Sequence, residues 1–89
     1  MLIVAASEGR TAFANFLLAH GANPNQADEN GWTPLMAATA HNDYEIAKPL
    51  AKKDADISAR DRNGYTALRI ATFQQYGTIV DILEQHGAK

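Results

Sequence analysis

The sequence predicts an all-α solenoid built from repeated helix–turn–helix units, and two observations support that prediction. The first is a repeat with a period of 33 residues. Residues 28–56 and 61–89 share 10 identities in 29 aligned positions, where average composition would give about two. The second is that apolar residues behind each turn recur with the spacing of short amphipathic helices. A fixed period of this length is typical of stacked repeats.

Each repeat begins with a tight turn. The segments Asp28-Glu29-Asn30-Gly31 and Asp61-Arg62-Asn63-Gly64 occupy the same position in consecutive repeats. Their glycines tolerate a positive φ angle, and an aspartate side chain can accept hydrogen bonds from the backbone that follows it. We therefore interpret Asp28 and Asp61 as turn-forming residues and not as a paired acid site.

Two short helices are predicted to follow each turn. In the middle unit, Thr33-Pro34 combines a helix N-cap with proline at the first helical position, and Asn42 is a residue type that can end a helix in the left-handed region. Asp43 is the predicted N-cap of the second helix. The buried side of that helix is expected to consist of Ile46, Ala47 and Leu50.

The same period extends back to the start of the chain. Five apolar residues there correspond to apolar positions of the middle unit: Leu2, Ala5, Phe13, Leu17 and Ala22. The sequence therefore predicts a single domain over residues 1–89, with about 2.7 repeats in units 1–27, 28–60 and 61–89.

These segments resemble the ankyrin-repeat family, whose repeat carries a D-x-x-G turn, a T-P-L-H-x-A-A helix start and a G-A-D-V-N ending. The matching segments are Thr33-Pro34-Leu35-Met36-Ala37-Ala38 and Gly21-Ala22-Asn23-Pro24-Asn25, together with the two turns. The resemblance implies an all-α ankyrin solenoid whose turns and first helices line a concave surface. It also implies a cytoplasmic, intracellular protein. Another helical solenoid is the alternative.

Several positions depart from the family pattern. Met36 and Arg69 stand where the family usually has histidine, so the hydrogen bonds of that histidine are absent or replaced. Pro49 lies inside a predicted second helix, where it is expected to kink or shorten the helix. Gln75 and Asp54 each occupy a position that usually holds glycine.

The two ends of the array are expected to differ. Leu18, Ala51 and Glu84 are equivalent positions, so the last helix has a polar outer side typical of a C-terminal cap. The first unit begins directly with a helix that contains Ile3 and Val4, and it shows no comparable polar cap. We expect this end to continue into a longer array, or to be covered by a partner or by a second copy in a homo-oligomer.

Composition argues against several classes of function. The net charge of −2 and the pI of about 5.8 disfavour nucleic acid, and no segment is apolar for long enough to be a signal peptide or a membrane span. The chain has no cysteine, and His20, His41 and His86 are not spaced as metal ligands. We therefore expect no metal. No nucleophile has a neighbouring base, so we also expect no catalytic site, and we expect no cofactor.

The family resemblance places the candidate binding residues on the turn tips and the first helices. Trp32, Tyr65 and Phe73 are the predicted anchors, because exposed aromatic residues are common at interface hot spots. The other candidates are polar: Glu8, Glu29, Asn30, His41, Arg62, Asn63 and Gln74. The alternative for Trp32 and Tyr65 is packing against the neighbouring turn.

The leading functional hypothesis is a non-enzymatic module that binds a partner protein through this concave surface. One alternative is a structural or engineered scaffold without a dedicated ligand, or a fragment that self-associates. Another is an ankyrin segment that regulates an enzyme domain in a longer chain.

Overall fold

A computed structural model describes residues 2–52 and 56–88. This part of the chain contains six helices and no strand: α1 (Leu2–Ser7), α2 (Thr11–Ala19), α3 (Pro34–Ala40), α4 (Tyr44–Lys52), α5 (Ala67–Gln74) and α6 (Gly77–Gln85). Each predicted unit holds one helix pair, and the predicted all-α architecture of helix–turn–helix units is confirmed.

The helices form two layers. The first helices of the pairs, α1, α3 and α5, pack side by side in one layer, and α2, α4 and α6 pack in the other. Small residues at equivalent positions of the first layer allow this packing: Ala5, Ala38 and Ala71 are all buried. Two of the candidate binding residues, Phe73 and Gln74, belong to α5 and therefore lie in the first layer.

Three helices, α3, α4 and α5, begin with a side-chain cap, and two of these caps, Thr33 and Asp43, are predicted from the sequence. The hydroxyl oxygens of Thr33 and Thr66 each accept a hydrogen bond from the backbone N–H three residues later, at 3.2 Å in both cases. Asp43 caps α4 by accepting from the backbone N–H of Ile46 at 3.2 Å. Because each cap satisfies an N–H that the helix itself leaves unpaired, it fixes the residue at which the helix begins.

Two non-glycine residues adopt the left-handed conformation where first helices end. Asn42 has φ of 53° and Gln75 has φ of 62°, which confirms the prediction for Asn42. Gln75 takes this conformation although the position usually holds glycine, and α5 ends at Gln74. The next backbone N–H donates to a carbonyl five residues earlier, from Asp43 to Ala38 and from Tyr76 to Ala71, at 2.9 Å in both cases, so hydrogen bonds hold the turn between the paired helices.

Pro49 does not shorten its helix. α4 contains Pro49 and has 9 residues, as many as α2 and α6, so the helix is not shortened, and the alternative expectation of a kink stays a prediction. Ile46 and Leu50, which are both fully buried, hold the helix on either side of the proline. The expectation for Asp54 falls outside the described residues.

The core consists mainly of aliphatic side chains and alanines. Its largest fully buried members include Leu35, Met36, Ile46, Leu50, Ile79 and Leu83. Met36 is 1% exposed, so the position where the family usually has histidine is part of the apolar core here.

The ends of the array differ as predicted. Leu18 and Ala51 are buried, whereas the equivalent Glu84 is exposed, which gives the last helix a polar outer side. At the other end, Val4 is 50% and Phe16 is 55% exposed. Within residues 2–52 and 56–88, no helix is long and apolar enough to cross a membrane.

Candidate functional site

A groove of about 290 Å³ lies on the layer of first helices, between α3 and α5. Its walls are aromatic and its remaining lining is aliphatic or polar. The lining residues are Trp32, Tyr65 and Phe73, with Ala40, Ile70, Arg69 and Gln74. We call this the aromatic groove. The three aromatic residues selected from the sequence therefore meet on one surface.

One wall of the aromatic groove is a ridge formed by three residues spaced four apart. Tyr65 precedes the N-cap of α5, and Arg69 and Phe73 follow on the same side of the helix. The Arg69 guanidinium carbon lies 5.2 Å from the centre of the Tyr65 ring, a cation–π distance. Tyr65 is 44% and Phe73 is 85% exposed, so the ridge presents aromatic surface to solvent.

The opposite wall is formed by Trp32, which is less exposed than the sequence predicts. Its side chain is half-buried against the core, and its indole N–H donates to Oδ2 of Asp61 at 3.0 Å. The expectation of an exposed Trp32 is therefore wrong, because the ring packs towards the next turn. Trp32 nevertheless lines the groove, so it contributes both to the contact between the repeats and to the candidate site.

Asp61 organises the turn behind the groove. Its Oδ1 accepts from the backbone N–H groups of Asn63 at 2.8 Å and Tyr65 at 2.9 Å. The Tyr65 N–H is the largest cause of a lowered pKa for this carboxyl, and the Asn63 and Trp32 donors add to it, while burial opposes them. The carboxylate is thus held ionised as an acceptor, and the predicted turn-forming role of Asp61 is confirmed.

The turns of the second and third repeats also bond directly through their backbones. The carbonyl of Asn30 accepts from the N–H of Arg62 at 2.8 Å. Gly31 has φ of 78°, and a Cβ atom there would lie 3.2 Å from the Arg62 nitrogen and from the Asp61 Cα. Glycine therefore permits both the turn and the close approach of its neighbour. The groove is consequently built on two turns that are locked together.

Most of the polar candidates lie outside the aromatic groove. Gln74 lines it, whereas six others are exposed elsewhere: Glu8, Glu29, Asn30, His41, Arg62 and Asn63. His41 is the C-cap residue of α3. Arg69 and Ile70 line the groove but were not selected from the sequence. The four-residue spacing from Tyr65 through Arg69 to Phe73 is the signal that identifies Arg69.

The groove offers aromatic, aliphatic and guanidinium surface. Across residues 2–52 and 56–88, no three histidine or carboxylate side chains come together as a metal site. These residues can contact apolar side chains of a partner and pair with an anionic group. Both contacts would favour binding.

The helix pairs, their caps and the locked turns agree with a match over residues 2–89 to the family model for ankyrin repeats, in three copies. The chain belongs to the ankyrin-repeat family. Ankyrin repeats are generally protein–protein interaction modules, and solenoids of this kind bind through extended concave surfaces.

Similar proteins carry ankyrin repeats in different contexts. An ankyrin repeat-containing protein of Schizosaccharomyces pombe is 35% identical over 85 residues, which cover 96% of this chain and 40% of that protein. Ankyrin repeat and SAM domain-containing protein 6 of Rattus norvegicus is 42% identical over 67 residues, covering 74% and 8%. A human NAD-capped RNA hydrolase is 38% identical over 79 residues, covering 88% and 17%. The chain thus spans 40% or less of these relatives.

Proposed function

We propose that this ankyrin chain is a non-enzymatic module that binds another protein through its concave surface, with the aromatic groove as the main contact. The observation that supports this most strongly is the meeting of Trp32, Tyr65 and Phe73 on one surface. Phe73 is 85% exposed, so a partner that covers it would bury much apolar surface, which contributes favourable free energy to binding. The proposal involves no cofactor, metal, nucleic acid or membrane.

Binding by this surface requires little reorganisation of the chain. The turns are joined by the Asn30–Arg62 backbone bond and by the Trp32–Asp61 side-chain bond. Because those groups are ordered before a partner arrives, the entropy lost on binding is reduced. Phe73 and Tyr65 then act as anchors, and Gln74 and Arg69 orient the partner. Family membership supports an intracellular location for this interaction.

Photo-cross-linking tests the proposal by capturing whichever protein occupies the groove. Benzoylphenylalanine is introduced at Phe73 in one version and at Phe16, a second exposed phenylalanine outside the groove, in another. Both versions are irradiated in cell extract, and adducts are identified by mass spectrometry. We expect a discrete adduct from position 73 that position 16 does not give, and Tyr65→Ala should reduce its yield.

The proposal fails if position 73 gives no adducts beyond those of position 16. It also fails at this groove if Tyr65→Ala leaves the adduct unchanged while the melting temperature shows that the chain is folded.

A second candidate function is a self-associating scaffold. The exposure of Val4 and Phe16 favours it, because the equivalent positions Ala37 and Ile82 in later repeats are covered. In that role the first repeat contacts a second copy of the chain, and the aromatic groove has no dedicated ligand.

A further inference from the structure

We propose that the partner segment bound at the aromatic groove is acidic, with an apolar side chain in the groove and a neighbouring carboxylate paired with Arg69 and Arg60. This inference rests on the proposed function and specifies the chemistry of the partner. It follows from the surface next to the groove and from its charges.

A second depression, of about 450 Å³, adjoins the aromatic groove. The two share Arg69 and Phe73, so the ridge of α5 separates them. Arg60, Thr66 and Thr72 also line this depression. We call it the arginine depression. A peptide that crosses the ridge therefore meets an aromatic surface first and guanidinium and hydroxyl donors next.

The charge of this surface is opposite to that of the whole chain. The net charge of the chain is −2, yet Arg60 and Arg69 are the charged residues among the described residues that line the two depressions. Asp61 is engaged by two backbone N–H groups and by Trp32. Among the described residues, no carboxylate lies within ion-pair distance of Arg60 or Arg69, so an acidic partner supplies the complementary charge.

A carboxylate is the ligand that fits these donors. A guanidinium group can donate two parallel hydrogen bonds to a carboxylate, and the threonine hydroxyls can donate further ones. The Arg69 guanidinium stacks on the Tyr65 ring, which limits its rotation and reduces the entropy lost on pairing. Nucleic acid also combines flat rings with anionic groups, but the acidic chain disfavours it at longer range.

Selection from a random-peptide library displayed on phage tests the inference on the full chain. Bound phage are recovered from the wild-type chain and from Phe73→Ala, and peptides that bind only the wild type are sequenced. We expect these peptides to contain a Leu, Ile, Phe or Trp residue within a few positions of Asp or Glu. Their affinity should fall as salt rises, because the pairing charges are partly exposed.

Matched charge variants identify the arginines responsible. Arg69→Gln and Arg60→Gln should each weaken an enriched acidic peptide by about 3- to 10-fold. Arg10→Gln removes the same charge from an exposed position outside both depressions and should change the affinity by less than about twofold. Replacing the carboxylates of the peptide by amides should abolish the difference between the wild type and Arg69→Gln.

The possible outcomes separate the inference from the proposed function. If Phe73-dependent peptides are enriched without Asp or Glu, or if Arg10→Gln weakens them as much as Arg69→Gln, the inference is overturned and the proposed function stands. If no peptide depends on Phe73, both are overturned. Tighter binding of a single-stranded oligonucleotide than of the acidic peptides also overturns the inference.

Discussion

Asp61 joins the second and third repeats through a single carboxylate. One oxygen holds the turn of its own repeat, and the other accepts the indole N–H of Trp32 from the preceding repeat. The equivalent Asp28 makes the same backbone bonds within its own turn. Each aspartate thus holds the turn of its own repeat, and Asp61 also accepts a hydrogen bond from the preceding repeat.

Replacing Trp32 with Phe should lower the unfolding midpoint. The substitution keeps an aromatic ring against the core but removes the N–H that Asp61 accepts, and an unpaired acceptor near the interior is costly. Tyr65→Phe at the equivalent position is the control and should change the midpoint little. Urea unfolding followed by circular dichroism measures both, and equal midpoints for wild type and Trp32→Phe would contradict this role.

The Asp61 carboxylate should contribute to stability in a pH-dependent way. Its pKa in the folded chain lies below the ordinary value of 3.8, so the ionised form favours folding above that pH. The contribution is lost as pH falls from 3.8 through the lower pKa of the folded state. Asp61→Asn should lower the neutral-pH midpoint and flatten the loss of stability in this acid range.

Urea midpoints measured over a pH series test this expectation. Asp81→Asn removes an exposed carboxylate of α6 and should retain the neutral-pH midpoint. An Asp61→Asn variant with the acid profile of the wild type would show that this carboxylate does not stabilise the fold.

α4 contains an interior proline, which the equivalent helices α2 and α6 lack. Pro49 cannot donate to the carbonyl of Glu45 four residues earlier, and an interior proline costs about 3 kcal/mol. Pro49→Ile, which introduces the residue found at Ile82 in the next repeat, should raise the free energy of unfolding by about 1 kcal/mol or more. We expect the gain to be partial because Pro49 is half-buried and isoleucine must repack.

The matched control is Pro34→Ala, which also introduces the residue of the next repeat. Pro34 stands at the first helical position, where proline is favourable, and it is buried, so no gain is expected. An unchanged or lower midpoint for Pro49→Ile would mean that α4 already accommodates the proline.

The helices were predictable from the sequence because their signals are local. A cap such as Thr33 or Asp43, and apolar spacing behind it, act within a few residues. The position of Trp32 was not predictable in this way, because its partner Asp61 lies 29 residues later. The groove residues on the Tyr65–Phe73 ridge share a helix face, but their meeting with Trp32 depends on how two repeats stack.

The first repeat leaves the apolar side chains of Val4 and Phe16 exposed. We expect the chain to self-associate as its concentration rises, and Phe16→Gln to weaken that association by reducing the apolar surface of Phe16. Sedimentation over a range of concentrations measures it. Phe73→Gln is the control, because it changes an exposed phenylalanine outside this surface. A wild-type chain that stays monomeric at every concentration would contradict the expectation.

Binding of a partner protein at the aromatic groove should shift the nuclear magnetic resonance signals of the residues that line it. The isotope-labelled chain is titrated with the partner protein that the cross-link at position 73 identifies. The chain has one tryptophan, so its indole N–H signal reports on Trp32 alone. We predict shifts of this signal and of the backbone signals of Tyr65, Arg69 and Phe73. Shifts confined to α2, α4 and α6, with an unchanged indole signal, would contradict binding at this groove.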